Sequence, residues 1–172
     1  MSSILHTLTR PRTAAAVILA AAALTVGGAL AFEHLGGLVP CKLCLLQRKP
    51  YYLALPLAVL ALLLPPARRG LLALLALVFV VSTSLGAHHA GVEWGFWPGP
   101  SDCGGGAGPA AGGVEDFLKQ LDRTRVVSCT EAAWRFLGLS LSGWNGLISL
   151  GLAGFAALAA SRRAHGSSSV SQ

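Results

Sequence analysis

Four long apolar blocks, about residues 13–32, 44–64, 70–87 and 139–160, constrain this chain more than any other feature. The first is a 20-residue run from Thr13 to Phe32, enough as a helix to cross roughly 30 Å of hydrocarbon. A soluble core does not call for runs of this length. Only 12% of the 172 residues are charged, about half the roughly 25% usual in globular domains. The pattern predicts an all-α membrane protein: a four-helix transmembrane bundle forming one integral membrane domain over 1–172. A cleaved signal peptide is the rival reading of the first block, because Ala29-Leu30-Ala31 resembles a cleavage site. The run exceeds the roughly 7–15 apolar residues of a signal peptide, which favours a span.

The second block is uninterrupted only from Tyr51 to Leu64. It spans if its helix begins near Cys41 and holds Gln47, Arg48 and Lys49 at the interface, with Pro50 and Pro56 as candidate kinks. Pro65-Pro66 end it, Arg68-Arg69 make a basic turn, and the third block closes at His88-His89. Outer loops are expected at about 33–43 and 88–138. The second loop is rich in Gly, Ala and Pro over 104–113, a flexible composition. Val114, Phe117, Leu118 and Leu121 follow at i, i+3, i+4 and i+7, which predicts a short amphipathic helix on the membrane. In the fourth block Gly138, Ser142 and Gly146 recur every four residues, letting another helix approach closely, and Asn145 is placed to hydrogen-bond between helices.

Four spans put both termini on one side. The terminal segments and the Arg68-Arg69 turn carry six Lys/Arg and no acids, while the other side carries seven Lys/Arg and all seven acids. The cations of that other side lie mainly in a long loop and beside Cys44, and long loops count for less in topology. The termini are therefore expected in the cytoplasm, with all four cysteines outside, where disulfides persist. Trp94, Trp97, Trp134 and Trp144 then fall at the outer ends of spans three and four, as an aromatic belt does. The net charge of +6 is accounted for by this distribution and implies no nucleic acid.

The chemistry centres on Pro40-Cys41-Lys42-Leu43-Cys44-Leu45-Leu46-Gln47-Arg48. Two thiols stand one helical turn apart, and Arg48 lies at i+4 from Cys44 on the same face. A thiol at a helix start and beside a guanidinium has a lowered pKa and is a ready nucleophile or electron donor. Cys103 and Cys129 lie in the second outer loop, where a bond between them reads equally as a structural staple. Four cysteines allow three connectivities. A zinc site is disfavoured because the second pair is not CxxC and no histidine sits at matching spacing. Two pairs on one membrane face suggest thiol–disulfide exchange between them, which moves electrons without another cofactor. Electrons leaving the CxxC then need an acceptor, and a lipid-soluble quinone suits a span so poor in metal ligands. A non-enzymatic scaffold braced by a loop disulfide is the alternative, and it leaves Arg48 unexplained.

These features resemble the bacterial disulfide bond formation protein B family. The resemblance rests on four spans, Pro40-Cys41-x-x-Cys44 with Gln47-Arg48, a histidine near the end of span three, a cysteine pair in the second outer loop, and Trp134-Arg135-Phe136-Leu137-Gly138-Leu139 before span four. It implies a quinone-dependent thiol oxidase of the inner membrane that reoxidises a periplasmic thioredoxin-fold partner. It implies disulfides Cys41–Cys44 and Cys103–Cys129, with Cys103 forming the mixed disulfide with the partner and Cys129 exchanging with Cys41. It further implies that Cys44 faces the quinone (ubiquinone or menaquinone), that Arg48 stabilises the thiolate and the developing quinone charge, and that His89 belongs to the quinone site.

Overall fold

A computed structural model of the chain describes residues 7–100, 125–126, 129–132 and 134–162. Cys103, the glycine-rich tract and the expected amphipathic helix at 114–121 lie outside the described residues. Four long helices dominate: α1 (Pro11–His34), α2 (Lys42–Leu63), α3 (Arg68–Glu93) and α4 (Leu141–Ser161). Between them lie four two-residue strands, β1 (Leu38–Val39), β2 (Arg125–Val126), β3 (Arg135–Phe136) and β4 (Leu139–Ser140). Three of the helices, α1, α3 and α4, are long and apolar enough to cross a membrane. The 22-residue α2 matches them in length, but Gln47, Arg48 and Lys49 make its first half polar.

The helix ends follow local chemistry. Pro11 occupies the first turn of α1, where its missing N–H leaves no bond unmade. Cys41 caps α2, its sulfur accepting from the Cys44 N–H at 3.2 Å. The Ser140 hydroxyl caps α4 by accepting from the Gly143 N–H. At the other end of α2, Arg68 donates to the carbonyls of Ala61 at 2.7 Å and Leu62 at 3.2 Å, satisfying groups that the helix end leaves open. Helix α3 continues to Glu93, past the end of its apolar block at Ala87. That extension carries His88, His89 and Glu93, whose polarity hides a helix from an apolar-run reading.

Packing uses small residues. Ala14, Ala15 and Ala22 of α1 and Ala54, Ala58 and Ala61 of α2 are fully buried and let the backbones approach. Helix α2 packs between α1 and α3, and α3 packs along α4. The tightest crossing is Gly86 against Gly146, where a Cβ on Gly86 would stand 2.7 Å from the Gly146 backbone. Of the three residues at four-residue spacing, Ser142 and Gly146 thus mark a real contact face, whereas Gly138 lies before α4 in a turn where a Cβ would meet nothing within 4 Å. Tyr51 and Phe79 meet edge to face at 5.6 Å in the core. Below the functional end, the Tyr51 hydroxyl and Ser149 are 2.8 Å apart, and Ser149 donates to Ser82 at 2.8 Å. That chain ties α2, α4 and α3 together inside an otherwise apolar interior. The outward faces stay apolar, with Leu24, Leu77 and Leu63 exposed. Water disfavours such a surface and lipid accepts it.

Two small pairings organise the polar end. Strands β1 and β2 run parallel, with Leu38 opposite Arg125 and Val39 opposite Val126. This register joins the segment between α1 and α2 to the one between α3 and α4. Strands β3 and β4 form an antiparallel hairpin whose turn residues, Leu137 (φ 52) and Gly138 (φ 82), both take positive φ. A two-residue turn of this kind matches the strand twist and leads directly into the Ser140 cap.

Candidate active site

The site is built from the loop before α2 outward. Cys41 is fully buried at the helix cap, and Cys44 lies one turn along. Both are free thiols, with sulfurs 2.7 Å apart. The β1–β2 register carries Cys129 to the same place, because Cys41 follows Val39 by two residues and Cys129 follows Val126 by three. Cys129 is buried and disulfide-bonded. From α3, His89 turns its Nε2 to 3.9 Å from the Cys41 sulfur. The ligand atoms of Cys41, His89 and Cys129 all lie within 4.8 Å of one another. Their spacing is that of a metal cluster, but the chemistry is not. A sulfur committed to a disulfide has no thiolate to offer, and three groups fall short of a closed zinc site.

The Cys41 pKa is lowered to about 4. A hydrogen bond from the Cys44 thiol is the main cause and outweighs burial, which acts the other way; the His89 ring and the Cys44 N–H add to the lowering. Cys41 is therefore the activated thiol of the pair. The i,i+4 spacing predicts Arg48 against Cys44. In the structure the Arg48 guanidinium donates to the Glu33 carboxylate and, at 3.3 Å, to the Ala29 carbonyl. Glu33, to which the sequence assigned no role, is thus a partner of Arg48. Its signal was present in the sequence: an acid at the end of an apolar span usually has a specific partner.

A polar layer links α2, α3 and α4 above the apolar core. Asn145 Nδ2 donates to Gln47 Oε1 at 2.6 Å, the interhelical bond anticipated for Asn145. Gln47 Nε2 lies 2.5 Å from His89 Nδ1. Glu93 lies at i+4 from His89, with Oε1 3.8 Å from Nε2, and accepts from the Ser142 hydroxyl at 2.6 Å. Gln47 was expected at the interface and in the motif beside Arg48, not in this layer, and Glu93 was not singled out from the sequence; the His89-to-Glu93 helical spacing could have found the latter. His88 takes a different role, stacking on Trp97 at 5.6 Å while the Trp97 Nε1–H donates to the His88 carbonyl. Gly91 leaves room for that indole, since a Cβ there would overlap the ring.

Beside this layer a cavity of about 320 Å³ lies among α1, α2, α3 and α4. Cys44, Arg48 and His89 all line it, together with Glu33, Glu93 and Trp144. The remaining wall is mainly apolar, including Val26, Phe32, Leu141 and Ile148. Small-molecule sites combine such walls with a few convergent polar groups.

The family model described as disulfide bond formation protein DsbB matches residues 11–159. The chain belongs to the disulfide bond formation protein B family. Among curated members, a disulfide bond formation protein B of Marinobacter nauticus is 33% identical over 130 residues, covering 70% of this chain and 77% of that protein. One of Polaromonas sp. is 31% identical over 150 residues, covering 83% and 85%. One of Azoarcus sp. is 29% identical over 159 residues, covering 87% and 90%. No solved structure matches significantly. Family membership and three apolar helices make this a membrane protein of the disulfide-forming oxidoreductases.

Proposed function

We propose that this family member is a thiol:quinone oxidoreductase of the bacterial inner membrane. It reoxidises a periplasmic thioredoxin-fold dithiol protein and passes the electrons through two cysteine pairs to a membrane quinone. In this reading α2 is the fourth span, with Arg48 and Lys49 at the outer interface. Both termini are cytoplasmic and all four cysteines periplasmic. The observation that carries the reading is the convergence of Cys41, His89 and the bonded Cys129 within 4.8 Å, at the wall of a cavity that Cys44 lines.

The partner's thiolate attacks Cys103 of a Cys103–Cys129 bond and releases the Cys129 thiolate. Cys129 attacks Cys41 of the oxidised CxxC, and Cys44 leaves as thiolate. The partner's second thiol resolves the mixed disulfide and frees Cys103, which attacks Cys129 and releases Cys41. The net result is an oxidised partner, a restored loop disulfide and two electrons on the Cys41–Cys44 dithiol. Free Cys41 and Cys44 beside a bonded Cys129 match that state. The lowered Cys41 pKa makes it a good leaving group in the last of these steps, when Cys103 attacks Cys129.

The cavity fits a quinone headgroup by its apolar wall and by the polar edge formed by Cys44, Arg48 and His89. Bound there, a quinone supplies a two-electron, two-proton acceptor. Arg48 would orient it by charge, and Glu33 holds the guanidinium at the cavity edge. The test is quinone absorbance against time, with purified protein in detergent and a reduced thioredoxin-fold partner. Wild type should consume quinone; Cys44→Ser and Cys103→Ser should not, while Cys44→Ser should still form a mixed disulfide at Cys103. Full turnover in Cys44→Ser refutes the exit route. No turnover in wild type, with cysteines that never cycle, points instead to a braced scaffold.

A further inference from the structure

We infer that Gln47 and Asn145 are positioning residues that hold the proton of the His89 ring on Nε2, facing the Cys41 sulfur. The inference deepens the oxidase reading and rests on it for its consequence in exchange.

Asn145 Nδ2 donates to Gln47 Oε1 at 2.6 Å. With its oxygen engaged on that side, the Gln47 amide presents its NH2 to the other, and Nε2 stands 2.5 Å from His89 Nδ1. An amide NH2 only donates, so Nδ1 must accept. A neutral imidazole that accepts at Nδ1 carries its proton at Nε2. Nε2 faces the Cys41 sulfur at 3.9 Å and Glu93 Oε1 at 3.8 Å.

Burial gives the chain its direction-holding power. Gln47 is 7% and His89 2% exposed, so water is poorly placed to replace a broken link. Among the described residues no buried side-chain nitrogen or oxygen lacks a partner. Reversing the ring's proton therefore requires both amides to turn together. The charged and titratable groups around the ring are few: Cys41, Cys44, Arg48 and Tyr51 of the α2 region, Glu93 of α3, and Glu33 of α1 on the same cavity, with the Tyr51 hydroxyl held by Ser149. Helix α4 contributes no charged or titratable group to that wall, its polar side chains there being the neutral Ser142, Trp144 and Asn145. Arg48 and Glu33 satisfy each other, which leaves Cys41 and Glu93 as the groups Nε2 serves. A fixed Nε2–H donor favours Cys41 as thiolate when it leaves Cys129.

Nitrogen NMR of ¹⁵N-histidine-labelled protein in micelles tests this, with His89→Gln to assign the signal. Wild type should show His89 protonated at Nε2 and unprotonated at Nδ1. Gln47→Glu, whose carboxylate only accepts, should move the proton to Nδ1. Asn145→Leu, which frees the Gln47 amide to turn, should give both tautomers. The midpoint of the Cys41 thiolate ultraviolet signal, defined by its loss in Cys41→Ser, should rise by about one pH unit in Gln47→Glu, a tenfold change in proton affinity. A wild-type proton on Nδ1, or one that stays on Nε2 in Gln47→Glu, overturns the inference. Quinone turnover on the same samples separates the two ideas. Nε2–H without turnover supports the geometry and sinks the oxidase reading; Nδ1–H with turnover sinks the positioning alone.

Discussion

Replacing Gly86 with alanine should damage both stability and activity through one displacement. The added Cβ would lie 2.7 Å from Gly146 Cα and N and 3.1 Å from the Ser142 carbonyl oxygen. All three are backbone atoms, so no rotamer change relieves the clash. Moving from 2.7 Å to the 3.4 Å where ordinary contact begins separates α3 and α4 by about 0.7 Å, enough to weaken their dispersion contacts substantially. Overpacking of this kind costs about 1–3 kcal/mol. Alanine returns up to about 1 kcal/mol through helix propensity. A net loss of up to about 2 kcal/mol lowers the unfolding temperature by up to about 8 °C for a chain of this size. The same shift stretches the Asn145–Gln47 and Ser142–Glu93 bonds, both 2.6 Å, so turnover should fall roughly tenfold or more. The assays are thermal unfolding in detergent and quinone consumption. Gly151→Ala is the control, since a Cβ there meets nothing within 4 Å. Equal unfolding temperatures and equal turnover in the two variants would refute the reasoning.

The Cys41 thiolate signal should persist as pH falls and disappear only near pH 4, whereas an ordinary thiol protonates near 8.5. Across that window the unfolded chain binds a proton that the folded chain does not, so stability from this group rises with pH and is lost as pH falls; a midpoint near 8.5 would contradict it. Arg48→Ala should raise the quinone KM about tenfold, equivalent to about 1.4 kcal/mol for a lost charge-assisted contact, and an unchanged KM in steady-state kinetics counts against that role. Leu137→Asn should raise the unfolding temperature by about 2–4 °C, because Leu137 pays for φ 52 while 79% exposed. A lowered temperature there would mean that the leucine side chain anchors the hairpin.

The helices were legible because apolar length is a one-dimensional signal. The CxxC at a helix start was legible because Pro40 and the cysteine spacing are local. Gly146 with Ser142, and Asn145 as an interhelical bond, were legible because small or polar residues inside a span have few other uses. The Glu33–Arg48 pair was not, since it closes across a loop between two helices. The same holds for the β1–β2 contact, because strands of two residues leave no alternation to read. Gln47 was read as an interface residue beside Arg48 and Lys49. It proved buried, because α2 turns that one position inward between His89 and Asn145. Which thiol is activated also depends on this three-dimensional contact. The sequence spacing favoured Cys44 through Arg48, while the folded site favours Cys41 through Cys44 and His89.

The central claim is that the two cysteine pairs communicate through Cys41 and Cys129. The direct measurement uses a Cys44→Ser, Cys103→Ser double variant, leaving Cys41 and Cys129 as the only thiols. After mild oxidation in detergent, peptide mass analysis reads whether they have joined. Near-complete conversion to a Cys41–Cys129 disulfide is the predicted result. Recovery of both residues as separately alkylated thiols in folded protein would contradict the account.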